Sequence, residues 1–187
     1  MRLRMESEVC NGGDLLESPP ALRWNVGCGT SSTVSKMITI DFFIDEEEFN
    51  DSLGWEEEGT KEDALSITCF HSLVRICVDG SDLFPDPSGD IPVANLPLLG
   101  VAAMLGEMVR LRPGMGFSWG FDDGDTIAVN SDSRYARISS AVCETELTVS
   151  LDELREAARD CRERLRYVFL EREPKLQGIA RWSYWFG

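Results

Sequence analysis

Residues 95–111, NLPLLGVAAMLGEMVRL, form the stretch that decides the predicted fold. Apolar residues fall on nearly every side of a helix drawn through them, which is typical of a helix covered on most of its surface. Asn95 is placed to cap the first turn, and Pro97 suits the first helical positions. Pro113 and Gly114 end the periodic pattern. The stretch therefore predicts a buried central helix.

Short strand-like runs follow this helix, and turn residues separate them. They span residues 116–121, 126–130, 134–140 and 142–149. Runs of this length, rich in β-branched and aromatic residues and joined by turns of aspartate, serine and glycine, are typical of neighbouring antiparallel strands. The sequence therefore predicts an antiparallel meander.

Two strand-like runs, residues 37–44 and 64–79, precede the helix and predict a strand pair. The alternation in the second run changes phase between Leu65 and Val74, so a bulge or break is expected within residues 70–73. Residues 1–36 show no sustained period and are rich in glycine, proline and serine. We therefore expect an irregular N-terminal extension, 1–36, and a single domain, 37–187.

Residues 151–172 have apolar side chains at spacings of three and four, which predicts an amphipathic helix. Ser150 and Glu153 form a capping-box pattern at its start. Its other face alternates in charge, and we expect that face to be solvated. The predicted fold class is α+β, a mainly antiparallel sheet made of a strand pair and a meander, packed by the buried central helix and this C-terminal amphipathic helix.

Four aromatic residues lie close to the C-terminus: Trp182, Tyr184, Trp185 and Phe186. Side chains of this size are expected to leave water, because each buries on the order of 150–250 Å². They dock either on the core of the same chain or on a second copy. The expected state is a monomer or a weak homodimer.

The charge of the chain limits its partners. Its 187 residues contain 33 acidic and 18 basic side chains, a formal net charge of −15. Nucleic acids and anionic membranes repel such a chain, so we expect neither as a partner, and a basic protein is the natural complement. The sequence also contains no secretory-signal pattern and no long apolar run, so a cytoplasmic location is expected.

The sequence shows no motif for catalysis, a cofactor or a metal. The six cysteines are scattered without a C-x-x-C pair, which predicts reduced structural thiols. His71 is the only histidine, and no orienting partner for it is identifiable. We therefore expect no catalytic residue, no metal site, no cofactor and no enzymatic activity.

The most unusual composition lies in residues 41–63, where eleven acids are opposed only by Lys61. Such a run must lie on the surface, either as a solvated loop with a short helix around residues 46–53 or as an interaction surface. Trp55, next to three glutamates, is either folded back onto the core or exposed as an interface anchor. A second acidic turn lies at the first tip of the meander, and it is either an ordinary polar hairpin tip or an extension of the acidic surface. The candidate partner-binding residues are Glu46, Glu47, Glu48, Trp55, Glu56, Glu57, Glu58, Asp122, Asp123 and Asp125.

A family resemblance adds to this interpretation. The order LPLLGVAAMLGEMVRLRPG, FSWGFDDGDTIAVNSDSRYARISS and SLDELREAARDCRERL resembles small acidic α+β proteins of bacteria, some of which are immunity proteins placed beside polymorphic toxins. The resemblance covers residues 37–173 and is architectural. It implies an immunity protein, or antitoxin, that binds and neutralises a cognate basic toxin through an acidic surface.

Two other classes remain open at this point. One is a small-ligand-binding or regulatory subunit, which is expected to contain an apolar cavity. The other is a carboxylate-dependent hydrolase, which requires a polar pocket with converging carboxylates.

Overall fold

A computed structural model of the chain describes residues 37–56, 61–62, 64–85, 93–121 and 126–187, and these fall into two four-stranded antiparallel sheets and five helices. The strands are β1 (Ile38–Phe43), β2 (His71–Val78), β3 (Ser81–Asp82), β4 (Ala94–Pro97), β5 (Gly116–Gly120), β6 (Thr126–Ser131), β7 (Tyr135–Ser140) and β8 (Thr145–Ser150). The helices are α1 (Glu46–Asp51), α2 (Leu65–Thr68), α3 (Leu98–Arg110), α4 (Leu151–Arg172) and α5 (Trp182–Phe186). Short 3₁₀ turns span Ser52–Gly54 and Pro174–Gly178. The predicted α+β class and mainly antiparallel pairing are confirmed, whereas the expected extension at 1–36 lies outside the described residues.

The first sheet is built around β2. Strand β1 pairs with residues 73–78 of β2, and β3 and β4 share the other side of β2. The turn between β2 and β3 consists of Asp79 and Gly80, both with positive φ, as a tight hairpin of this kind requires. The predicted strand pair is therefore part of a larger sheet, and β3 and β4 were missed because each has only two to four residues.

The second sheet is the predicted meander, with the order β5-β6-β7-β8. One inward row crosses all four strands and consists of Phe117, Val129, Ile138 and Leu147. Apart from the exposed Tyr135, the outward positions are small or polar. This alternation gives the sheet one face for the core and one for solvent.

Helix α3 occupies the core as predicted, and nearly all of its side chains are buried. The predicted start of this helix is wrong. Asn95 does not cap the helix, because it lies in β4 opposite Leu73, and the helix begins three residues later at Leu98 without a side-chain cap. The pairing of β4 with β2 satisfies the backbone there, and the Leu98 amide donates to the Phe70 carbonyl oxygen at 3.0 Å.

The expected strand over residues 64–70 is wrong. Residues Leu65–Thr68 form the single helical turn α2, with Leu65 buried and Ile67 exposed. The predicted break does occur, at Phe70, whose φ is +57°. Over so few residues, alternation cannot distinguish a strand from one turn of helix, so the packing of α2 against α3 determines that the segment is helical.

Helix α4 begins as predicted, since the Ser150 hydroxyl accepts from the Glu153 amide at 3.4 Å. Its apolar stripe is buried, chiefly against α3 and β1. The expectation that the other face is solvated needs a correction at Arg162, which is 9% exposed. Its guanidinium donates to the carbonyl oxygens of Trp185 at 2.7 Å and Gly187 at 2.9 Å, because α5 packs over that part of the helix.

Some of the C-terminal aromatic residues dock on the core of the same chain. Trp185 is fully buried and Phe186 nearly so, whereas Tyr184 remains exposed. Phe186 lies with its ring centroid 6.0 Å from that of Phe169 on α4. Within the described ranges, no helix has the length and apolar character needed to cross a membrane.

Candidate partner-binding surface

Helix α1 presents the acidic residues on a well-capped turn. Asp45 is its N-cap, and its carboxylate accepts from the amides of Glu47 at 3.0 Å and Glu48 at 3.2 Å. The first turn consists of Glu46, Glu47 and Glu48, which the positive end of the helix dipole favours. The short helix predicted in this region is therefore confirmed, and its first-turn glutamates are exposed.

One aromatic side chain attaches α1 to the core. Phe49 is fully buried, with its ring centroid 5.1 Å from that of Phe70 and 5.6 Å from that of Phe169. These two rings belong to the α2–β2 junction and to α4. The anchor fixes which side of α1 faces solvent, so the carboxylates project outward from a rigid base.

Two of the candidate glutamates form internal ion pairs. Arg172 of α4 binds Glu46 and also stacks over the Phe49 ring, with its guanidinium carbon 4.6 Å from the centroid. Lys175 binds Glu56 with an N–O distance of 3.0 Å. These pairs fasten Glu46 to the C-terminal end of α4 and Glu56 to the 3₁₀ turn that follows it, so both glutamates contribute less to the outward field than the sequence suggested.

The remaining carboxylates of α1 face solvent. Glu47 and Asp51 lie one turn apart on the same face, and neither forms an ion pair within the described part of the chain. Glu48 accepts one long hydrogen bond, 3.4 Å, from the Asn95 side-chain amide. We call Glu47, Glu48 and Asp51 the α1 acidic face.

The sequence left two positions open for Trp55, folded back onto the core or exposed as an interface anchor, and the structure shows the first. It is 6% exposed and belongs to the hydrophobic core, so an exposed anchor at this position is a wrong interpretation of the folded chain. The acids that follow it in sequence do not keep it in water, because its side chain is part of the hydrophobic core. Anchoring of a partner therefore requires other residues.

Glu173, which the sequence did not single out, lies close to Trp55 at the end of α4. Only 6% of it is exposed, and burial raises the pKa of its carboxyl. Lys175 and the indole of Trp55 favour the charged form and oppose that rise, although the indole N–H does not reach full hydrogen-bond geometry. The charge alternation of α4 gave no sign that this carboxyl turns inward.

Five candidate residues lie outside the described residues: Glu57, Glu58, Asp122, Asp123 and Asp125. The acidic turn of the meander and the second half of the glutamate run therefore stay predictions. Of the described candidates, Glu46, Glu47 and Glu48 share the first turn of α1, and Glu56 directly follows Trp55 in sequence.

Three titratable side chains outside this surface make local or buried contacts. The His71 ring nitrogen Nε2 lies 3.2 Å from the Ile67 carbonyl oxygen, which is a local contact. Burial raises the pKa of the Cys77 thiol, and it raises the pKa of the Cys161 thiol to about 12. No three His, Cys, Asp or Glu side chains among the described residues converge as metal ligands.

A groove of about 380 Å³ separates β1 from α4, and the sequence did not predict it. Arg164 of α4 lines it and reaches β1. The guanidinium donates to the Ile40 carbonyl oxygen at 2.6 Å and forms ion pairs with Asp41 at 3.0 Å and Asp160 at 3.2 Å. We call this feature the β1–α4 groove, and it is lined by Ile38, Thr39, Ile40, Asp41, Ala157, Asp160 and Arg164.

Comparison of the chain with protein-family models, with curated proteins and with solved structures gave no match.

Proposed function

We propose that this protein is a non-catalytic inhibitor of the immunity type, which binds and neutralises a basic cognate toxin through the α1 acidic face. The observation that carries the proposal is the rigid, outward presentation of Glu47, Glu48 and Asp51 on a capped helix. The net charge of −15 adds a long-range attraction to a basic surface. The architectural resemblance to immunity proteins supports the same function.

The mechanism is stoichiometric and needs no turnover. The negative potential of the chain steers the encounter with a basic partner, and the α1 acidic face then pairs with cationic side chains in the cleft of that partner. A cleft filled in this way excludes an anionic substrate, because the carboxylates occupy the cationic positions. The proposal assigns the protein to the bacterial cytoplasm, where it binds its partner directly.

The internal ion pairs have a role in this mechanism. Arg172 and Lys175 hold Glu46 and Glu56, so α1 is fixed before the partner arrives. A fixed surface loses less conformational entropy on binding than a mobile one, which favours affinity.

The proposal is tested by capture from a lysate of the native host on three immobilised proteins. These are the wild type, the α1 variant Glu47→Gln/Asp51→Asn, and the control Glu144→Gln/Glu146→Gln, which changes the β7–β8 turn and the start of β8. The two variants remove the same charge. We expect the wild type and the control to retain the same basic protein, and the α1 variant to release it at lower salt. Equal retention by all three proteins contradicts the proposal.

A further inference from the structure

Strand β1 forms an edge of the first sheet. It pairs with β2, and no strand in the described residues pairs with its other side. The Met37 carbonyl oxygen accepts from the Asp79 amide at 3.0 Å, so the backbone groups of alternate residues from Met37 onward point towards β2. The amides and carbonyls of Ile38, Ile40 and Phe42 therefore point away from it, towards the β1–α4 groove.

One of these outward groups is already used. Arg164 donates to the Ile40 carbonyl oxygen, and its guanidinium also lies over the Phe42 ring, 5.5 Å from the centroid. A charged side chain at such a position protects a sheet edge from uncontrolled pairing. In the described part of the chain, no hydrogen bond reaches the outward amide or carbonyl of Ile38 or Phe42. Among the described residues, the edge is therefore blocked at its middle and open on both sides of it.

The charges around the groove favour one kind of occupant. Asp41 and Asp160 converge on the single guanidinium of Arg164, so the groove has one carboxylate in excess. The Asp160 side chain is 73% exposed and is accessible from solvent. A basic side chain completes the pairing. A second copy of this chain fits less well, because it adds the same carboxylates and a further net charge of −15.

We propose that the open edge of β1 accepts an extended basic segment of a protein partner, which adds as a strand beside β1 and pairs a basic side chain with Asp160. Main-chain hydrogen bonds to Ile38 and Phe42 supply the attachment, and the excess carboxylate supplies the preference for basic sequences. This inference rests on the proposed function, because it names a second surface for the same basic partner. The Arg164 side chain fixes the register, because it already occupies the Ile40 carbonyl oxygen and the added strand must leave that position unpaired.

The test uses the full chain and a defined probe, a capped peptide of about eight alternating lysine and valine residues. Hydrogen exchange of the outward amides of Ile38 and Phe42 is followed by NMR as the peptide is added. We expect exchange at these amides to slow by roughly tenfold at saturation, while the ladder amides of Thr39 and Asp41 stay unchanged. A glutamate–valine peptide of the same length gives no protection.

Two variants examine the charge separately from the edge. Asp160→Asn is expected to weaken peptide binding about two- to fivefold, and the control Glu146→Gln, which removes the same charge from β8, is expected to leave it unchanged. Equal weakening by the two variants shows that only net charge matters, and this result overturns the proposed role of Asp160.

The remaining outcomes each overturn the inference. Protection elsewhere, or none at Ile38 and Phe42, shows that the edge is not the site. Protection that depends on protein concentration without peptide shows that a second copy is the occupant. Peptide binding that is abolished by Glu47→Gln/Asp51→Asn, with no protection of β1, rejects this inference but leaves the proposed function intact, so the two failures are distinguishable.

Discussion

The guanidinium of Arg162 in the middle of α4 donates a 2.7 Å hydrogen bond to the carbonyl oxygen of Trp185 at the end of α5. Helix α3 makes room for it: a Cβ added to Gly106 would lie 3.3 Å from that guanidinium. The arrangement joins three helices through one buried cation. It also holds the Trp185 ring, which is fully buried, against the core.

Arg162→Met is therefore expected to destabilise the fold by about 1–3 kcal/mol, because it leaves the carbonyl oxygens of Trp185 and Gly187 without their donor. The measurement is urea unfolding followed by tryptophan fluorescence. Arg159→Met, at an exposed position of the same helix, is the control and should cost less than about 0.5 kcal/mol. Equal unfolding midpoints for the two variants contradict this role of Arg162.

Gly100→Ala tests the contact between α2 and α3. Alanine is the better helix former by about 1 kcal/mol, but its Cβ would lie 2.5 Å from the Ser66 carbonyl oxygen. We expect a net loss of about 1–3 kcal/mol, because α2 must move away from the core. Gly178→Ala, where an added Cβ meets nothing within 4 Å, should be nearly neutral. A stabilised Gly100→Ala protein shows that α2 is not held at this point.

Glu173→Gln is expected to raise the melting temperature at pH 7. Burial raises the pKa of the folded carboxyl, so between its unfolded and folded values the folded chain binds more protons, and stability falls as pH rises. Above the folded pKa the full penalty of a buried charge applies. The gain from glutamine should fade as pH falls below the unfolded value of about 4.5. Thermal unfolding from pH 4 to 8 measures this gain in melting temperature, and the exposed Glu171→Gln is the control. If the melting temperatures of wild type and Glu173→Gln differ by the same amount at every pH, burial of a charged Glu173 carboxylate is not the cause.

The described cysteines should differ in their reactivity. Cys161 is fully buried and its pKa is about 12, so at pH 8 only about one thiol in ten thousand is ionised. Cys143 is partly exposed. We expect iodoacetamide to label Cys143 in the native protein and Cys161 only after denaturation, as read by peptide mass mapping. Rapid native labelling of Cys161 shows that α4 opens readily from the core.

The central helix, the meander and α4 were predictable because each has a long periodic pattern that matches its final packing. The start of α3 was not, since Asn95 suits a helix cap as well as a strand, and only the pairing of β4 with β2 decides. Arg162 was assigned to solvent for a similar reason. Its burial depends on α5, which packs on α4 from more than ten residues away in sequence.

The acidic run at residues 41–63 shows the same limit. Composition correctly predicted a surface position for Glu46, Glu47 and Glu48, because a run of like charges cannot be buried. It could not show that Arg172 would neutralise Glu46, since that base lies at the far end of another helix. Trp55 was ambiguous because a single aromatic residue among acids carries no periodic signal, and tertiary packing placed it in the core.

The most direct test of the central claim is the association rate of the captured basic partner at roughly 50 and 500 mM salt. The account predicts fast association that slows steeply with salt for the wild type and for Glu144→Gln/Glu146→Gln. It predicts slower association, by a factor on the order of two or more at low salt, and a flatter salt dependence for Glu47→Gln/Asp51→Asn. If the α1 variant and the control have the same rates at both salt concentrations, the α1 acidic face is only a solvated surface and the proposed mechanism is wrong.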